Sequence, residues 1–188
     1  MILDVTAGNR TMWREKDSPI VVYLDVEKRL ARPPDVIADS RHLPFRDGVF
    51  DTVVFDPPHL WGFETGAIQN VSPNVELSKV PVKRKVTSYY GWDKYKTRSQ
   101  LLKYIVDTLR EVRRVLKPDG VLWFKWCDLA MPIEKFWGVF DGWREMLRLG
   151  LDSPMRRSSH GRSWFIMFRP LCQSIRQLRL FEGGGRGE

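Results

Sequence analysis

The 188 residues carry 31 Lys plus Arg against 23 Asp plus Glu, with 43% hydrophobic residues, which suits one hydrophobic core and is short for two. Aromatics at 12% and charged residues at 29% argue against collagen-like, coiled-coil and wholly disordered chains. A formal charge of +8 permits an acidic partner without specifying one.

No apolar run approaches the roughly 20 residues that span a bilayer, and Asp4 interrupts the stretch where a secretory signal would be apolar. Cys127 and Cys172 lack disulfide-framework or zinc spacing. A cytoplasmic protein is expected.

In chain order, Met1 to Val5 is a short strand that breaks at Thr6-Ala7-Gly8-Asn9, and a helix of moderate quality follows to about Asp17. After Ser18-Pro19, Ile20 to Asp25 has the β-branched continuity of a strand buried on both faces. A short helical or irregular stretch runs to Arg32, and Pro33-Pro34 then breaks the chain. Asp35 to Asp39 is a third strand, Asp47-Gly48 a turn and Phe50 to Asp56 a fourth strand.

Residues 57–98 lack sustained periodicity, which in a compact domain marks a functional loop. From Ser99, the spacing of Leu101, Leu102, Ile105, Leu109, Val112 and Val115 predicts an amphipathic helix, stopped by Pro118-Asp119-Gly120. Val121 to Trp126 is a fifth strand, Pro132 to Leu149 a helix and Trp164 to Phe168 a late strand. Strands alternating with helices give an α/β domain over residues 1–170, with a mainly parallel sheet, a late antiparallel strand and helices on both faces. Residues 171–188 form a tail whose last residues are expected to be disordered.

Ligands of such sheets bind at the carboxyl ends of the strands. Asp4, Asp25, Asp39 and Asp56 each end a strand and should converge on that rim. Asp25 has the placement of an acid that accepts ribose hydrogen bonds, while the turn at Thr6, Ala7, Gly8 and Asn9 can offer backbone N–H groups. Its single glycine is a poor dinucleotide fingerprint. None of His42, His59 and His160 has a metal-spaced partner.

Taken together these segments resemble the class I S-adenosylmethionine-dependent methyltransferases, a Rossmann-like fold. Ile2 to Asn9 looks like their first motif, and Leu116 to Leu122 like the segment that enters the fifth strand. The resemblance implies S-adenosylmethionine as cofactor, with Asp4, Thr6, Ala7, Gly8, Asn9, Asp25 and Asp39 around it. In it, Asp39 would contact the adenine amino group.

Asp56-Pro57-Pro58-His59 resembles the Asp/Asn-Pro-Pro-aromatic motif of amino-methyltransferases that act on exocyclic amines of bases in DNA or RNA, and sometimes on protein amides. An amine conjugated into a ring is a poor nucleophile, and a fixed carboxylate and backbone carbonyl that accept its N–H bonds favour tetrahedral nitrogen. Consecutive prolines restrict their own backbone and that of the preceding residue. His59 stands where the family has Tyr, Phe or Trp, and Trp61 is a substitute stacking ring.

Between Lys79 and Arg98, seven cations face Asp93 alone. Lys83, Arg84 and Lys85 share that stretch with Tyr89, Tyr90 and Trp92, a pairing suited to phosphates and splayed bases. Nucleic acid is therefore the expected partner, with target specificity either modest or supplied by a protein partner or homodimer. A protein amide or small molecule as acceptor, or a non-catalytic cofactor-binding subunit, remains an alternative.

Overall fold

The structure, a computed structural model, describes residues 1–28, 30–59, 61, 95–128, 131–151 and 163–171. The basic-aromatic residues Lys83, Arg84, Lys85, Tyr89, Tyr90 and Trp92 lie outside the described residues, as do His160 and the tail from 172 onward.

The strands are β1 (Ile2–Asp4), β2 (Val21–Asp25), β3 (Val36–Ile37), β4 (Phe50–Phe55), β5 (Leu116–Cys127), β6 (Trp143–Leu151) and β7 (Ser163–Pro170), with the helix α1 (Arg98–Val115) between β4 and β5. They form one seven-stranded sheet in the order β3-β2-β1-β4-β5-β7-β6. Pairings from β3 through β5 are parallel. β7 runs antiparallel to both β5 and β6. The expected fold class is therefore present as a mainly parallel Rossmann-like sheet with a late antiparallel strand; of the helices expected on both faces, the described residues include α1 and one 3-10 helix. The parallel strands place β1, β2 and β4 with their carboxyl ends on one rim. No helix among the described residues is long and apolar enough to cross a membrane.

α1 forms where the periodicity places it. Thr97 accepts a hydrogen bond from the Gln100 N–H, and the Gln100 side chain accepts one from the Thr97 N–H, so a reciprocal capping box satisfies donors that the first turn leaves open. Leu101, Ile105, Leu109, Val112 and Val115 turn inward with Tyr104 and Thr108, each aliphatic burial worth about 1.5–3 kcal/mol. They meet Phe55, Phe124 and Trp126 of the sheet in one core. Phe140 and Phe168 stack within it with centroids 4.3 Å apart.

Four local expectations need correction. The segment after Asn9 is not a helix: Gly8 and Arg10 have φ of +50° and +58°, the left-handed region that breaks a right-handed helix. Arg10 is held there by hydrogen bonds to Lys16 O, Asp17, Pro33 O and Asp35 and lies 4.0 Å above the Tyr23 ring. The expected helix from Pro132 to Leu149 is a 3-10 helix over Ile133–Phe140 followed by β6. Gly142, at φ +84°, makes the break; a side chain there would meet Arg113 Nη1 at 2.6 Å. A register shift between Glu145 and Leu147 hides the alternation of β6 from a sequence reading. The third strand is reduced to Val36–Ile37, and the Pro118-Asp119-Gly120 turn is an irregularity inside the β4–β5 pairing instead of a separate loop.

Candidate active site

The rim of the sheet is organised by the turn after β1. Val5 N–H donates to Val54 O and Ala7 N–H to Leu24 O, so the chain leaving β1 is tied to both neighbouring strands. Thr6 Oγ1 accepts the Asp56 N–H at 2.9 Å, and the Gly8 N–H donates to Asp25 Oδ2 at 2.9 Å. One turn thus bridges the ends of β2 and β4, bringing together Asp4, Thr6, Gly8, Asp25 and Asp56.

Their carboxylates serve different ends. Asp4 is fully buried; it accepts the Thr6 N–H at 3.1 Å and Trp13 Nε1–H at 2.6 Å. Burial pushes its carboxyl up to about 7, against the pull of those hydrogen bonds. Asp4 thereby shapes the turn from beneath. Asp25 is half-buried and accepts from the backbone of Gly8 and of Glu27, which leaves acceptor lone pairs to spare among the described residues. Among the described residues, no atom beyond Gly8 and its two chain neighbours lies within 4 Å of where a Gly8 side chain would start, so there is room over the turn.

Asp39, just beyond β3, is engaged by its own chain. Arg41 Nε and Nη2 donate to its two oxygens and the Arg41 N–H to Oδ1, and this guanidinium holds the carboxyl below the usual range. Asn9 Oδ1 accepts the Arg32 N–H at 3.3 Å. Ala7 is buried beside Val21 and Tyr23.

At the end of β4, Asp56 meets two basic side chains. Lys125 Nζ donates to Oδ2 at 2.7 Å, and His59 Nε2 lies 3.3 Å from Oδ1, close but off the line of a hydrogen bond. Asp56 Oδ1 and His59 Nδ1 are buried without a hydrogen-bond partner among the described residues. Burial acts to raise the Asp56 carboxyl, but His59 and Lys125 outweigh it and hold the group ionised below its ordinary range. Pro57 is buried and Pro58 half-buried. His59, only 7% exposed, presents its ring edge-on to Trp126 with centroids 5.2 Å apart. It offers solvent no open face. Trp61 is partly buried against the same core.

Sequence reasoning missed Lys125, Arg10 and Arg41. Lys125 left a signal, being the charged residue in the otherwise apolar run Val121 to Trp126. The register Phe55↔Phe124 sets it beside Asp56.

No protein-family model matches the sequence, and no curated protein matches it. Several solved structures share its fold. A SAM-dependent methyltransferase of Leishmania major superposes with a TM-score of 0.51 at 13% identity, over 88% of this chain and 63% of its own. The chain thus spans less than two thirds of that protein. A SAM-dependent methyltransferase of Methanosarcina mazei gives 0.51 at 13% identity, over 90% of this chain and 92% of its own. The [4+2]-cyclase SpnF gives 0.51 at 14% identity, over 91% and 74%. The chain therefore has the fold of class I S-adenosylmethionine-dependent methyltransferases. That fold also carries a cyclase, so the reaction must be argued from the site.

Proposed function

We propose that this protein is an S-adenosylmethionine-dependent methyltransferase whose acceptor is an amino nitrogen, and that the amine is the exocyclic amino group of a base in nucleic acid. The observation that carries the reading is Asp56 Oδ1, a buried, ionised acceptor without a hydrogen bond among the described residues, one residue before Pro57-Pro58. A buried acceptor in that state is costly unless something donates to it, and an amino group is such a donor.

The rim residues fit the cofactor in two respects: the space over Gly8 and the unused acceptor capacity of Asp25, which suits ribose hydroxyls. Thr6, Ala7 and Asn9 complete that turn, Asp4 supports it, and Asp39 would serve the adenine end while shared with Arg41. The bound cofactor supplies an electrophilic methyl group. Asp56 Oδ1 would accept one N–H and the Pro57 carbonyl the other, so that the nitrogen lone pair points toward that methyl group as charge develops. With the His59 ring edge-on to Trp126, Trp61 is the better candidate for a stacking face. The basic residues Lys83, Arg84 and Lys85, with Tyr89, Tyr90 and Trp92, would hold the polynucleotide.

Labelled methyl transfer to total DNA, total RNA and protein, followed by nucleoside analysis, tests the reading. An N-methylated nucleoside is expected; label confined to protein would redirect it to side-chain amides. Asp56→Ala should retain cofactor binding and lose about 10²–10³ in rate, the scale of removing one transition-state hydrogen-bonding group. Full activity in that variant overturns the amino-methyltransferase mechanism.

A further inference from the structure

The two oxygens of Asp56 have different surroundings. Oδ2 is held by Lys125 at 2.7 Å, while Oδ1 is buried, 3.3 Å from His59 Nε2, and without a hydrogen bond among the described residues. A carboxylate turns about its last bond in a broad, roughly two-fold well, so backbone placement alone leaves its plane loosely defined. Asp56 follows a six-residue strand and precedes two prolines, which makes its backbone rigid. Its carboxylate needs a separate restraint.

Lys125 supplies one from the neighbouring strand. Its side chain is 23% exposed and that of Asp56 14%, so the pair is largely withdrawn from water. Placing an ion pair in such surroundings brings little net stability, because desolvation offsets the attraction. An apolar residue would continue the run Val121 to Trp126 at lower cost. The charge therefore finds its reason in the rim, not in the sheet.

We infer that Lys125 is a positioning residue: by binding Oδ2 it sets the plane of the Asp56 carboxylate and leaves Oδ1 as the acceptor for the substrate amine. The inference rests on the proposed role of Asp56 and adds a second residue to it. Among the described residues Lys125 and His59 are the basic groups acting on Asp56, which itself acts electrostatically on Asp4 of β1 and Cys127 of β5.

The test compares wild type, Lys125→Met, Lys125→Arg and Asp56→Ala. The readouts are methyl-transfer rate against pH at saturating cofactor, cofactor affinity by calorimetry and titration of the Asp56 carboxyl by carbon NMR. Lys125→Met should lower kcat about tenfold or more, since misplacing one reacting group costs up to about 10², without changing cofactor affinity. Its Asp56 titration and the acid limb of the rate profile should both move upward. Lys125→Arg should restore most of the rate, because a guanidinium also donates to Oδ2. If the methionine variant does not fold, Lys125→Leu, which likewise has no hydrogen-bond donor, makes the same comparison. Wild-type rate and titration in the uncharged variant, alongside an inactive Asp56→Ala, overturn the inference alone. Full activity in Asp56→Ala overturns the underlying role of Asp56 instead. A methyl group found on Lys125 itself by mass spectrometry makes it an acceptor and also overturns the inference.

Discussion

Asp25 and Asp4 lie one strand apart, yet they answer to different measurements. Asp25 faces the space over Gly8, and its replacement by Ala should weaken S-adenosylmethionine by about 1.5–3 kcal/mol, the worth of a hydrogen bond to a charged group. Calorimetry that finds unchanged affinity removes Asp25 from the site. Asp4, with its carboxyl pushed up to about 7 by burial, binds a proton more tightly folded than unfolded. Its contribution to stability is therefore full below about pH 4, the unfolded carboxyl value, and is lost as pH rises through about 7. Denaturation midpoints should fall across that window in wild type and fall less in Asp4→Asn. Equal slopes in the two proteins would place the titrating proton elsewhere.

At the scale of the element, α1 offers the cleanest test because its start is built by two side chains. Thr97→Ala removes the oxygen that accepts the Gln100 N–H at 3.2 Å, and should cost about 0.5–2 kcal/mol in chemical denaturation. Its effect should reach the site indirectly, since α1 packs Tyr104 against Phe55 at the end of β4 and, with Thr108, hydrogen-bonds Ser40 beside Asp39. A rate loss far exceeding the stability loss would mean that residues before α1 are held by the cap itself. This helix was legible because its apolar residues recur at helical spacing and its cap lies in four consecutive residues. The helix expected after Asn9 was not, because Arg10 folds back onto Lys16, Asp17, Pro33, Asp35 and the Tyr23 ring. Distant partners there outweigh local propensity.

For the whole molecule, the proposed nucleic-acid acceptor makes salt the variable to test, given the net charge of +8 and the cations between Lys79 and Arg98 in the sequence. Lys83→Ala, Arg84→Ala and Lys85→Ala combined should weaken polynucleotide binding. They should also flatten its dependence on log salt by up to about 0.9 per lost duplex-phosphate contact. Cofactor affinity should be unaffected. Fluorescence titrations at several salt concentrations measure this, and an unaltered slope would mean that these cations face water or a protein.

By itself the sequence determined the positions of the strands of the parallel half along the chain and the acids at their ends; their order in the sheet came from the structure. β-branched runs, prolines and Asp-Gly turns mark strand ends locally, and parallel strands joined by crossovers must present those ends together. The Asp56-Pro57-Pro58-His59 string was equally local, since its rigidity is written in consecutive residues. Tertiary structure alone decided how the acids are used. Asp4 is spent beneath the turn, Asp39 is tied to Arg41, and Asp56 is held on one side by Lys125 from a strand 69 residues away in the chain. It also turned the Trp143 to Leu151 segment into a strand, because pairing with β7 satisfies backbone groups that helical periodicity alone would have placed elsewhere. Apart from the Asp39–Arg41 pair, which is two residues apart, such choices depend on pairing register and burial across long sequence separations, which no local pattern encodes.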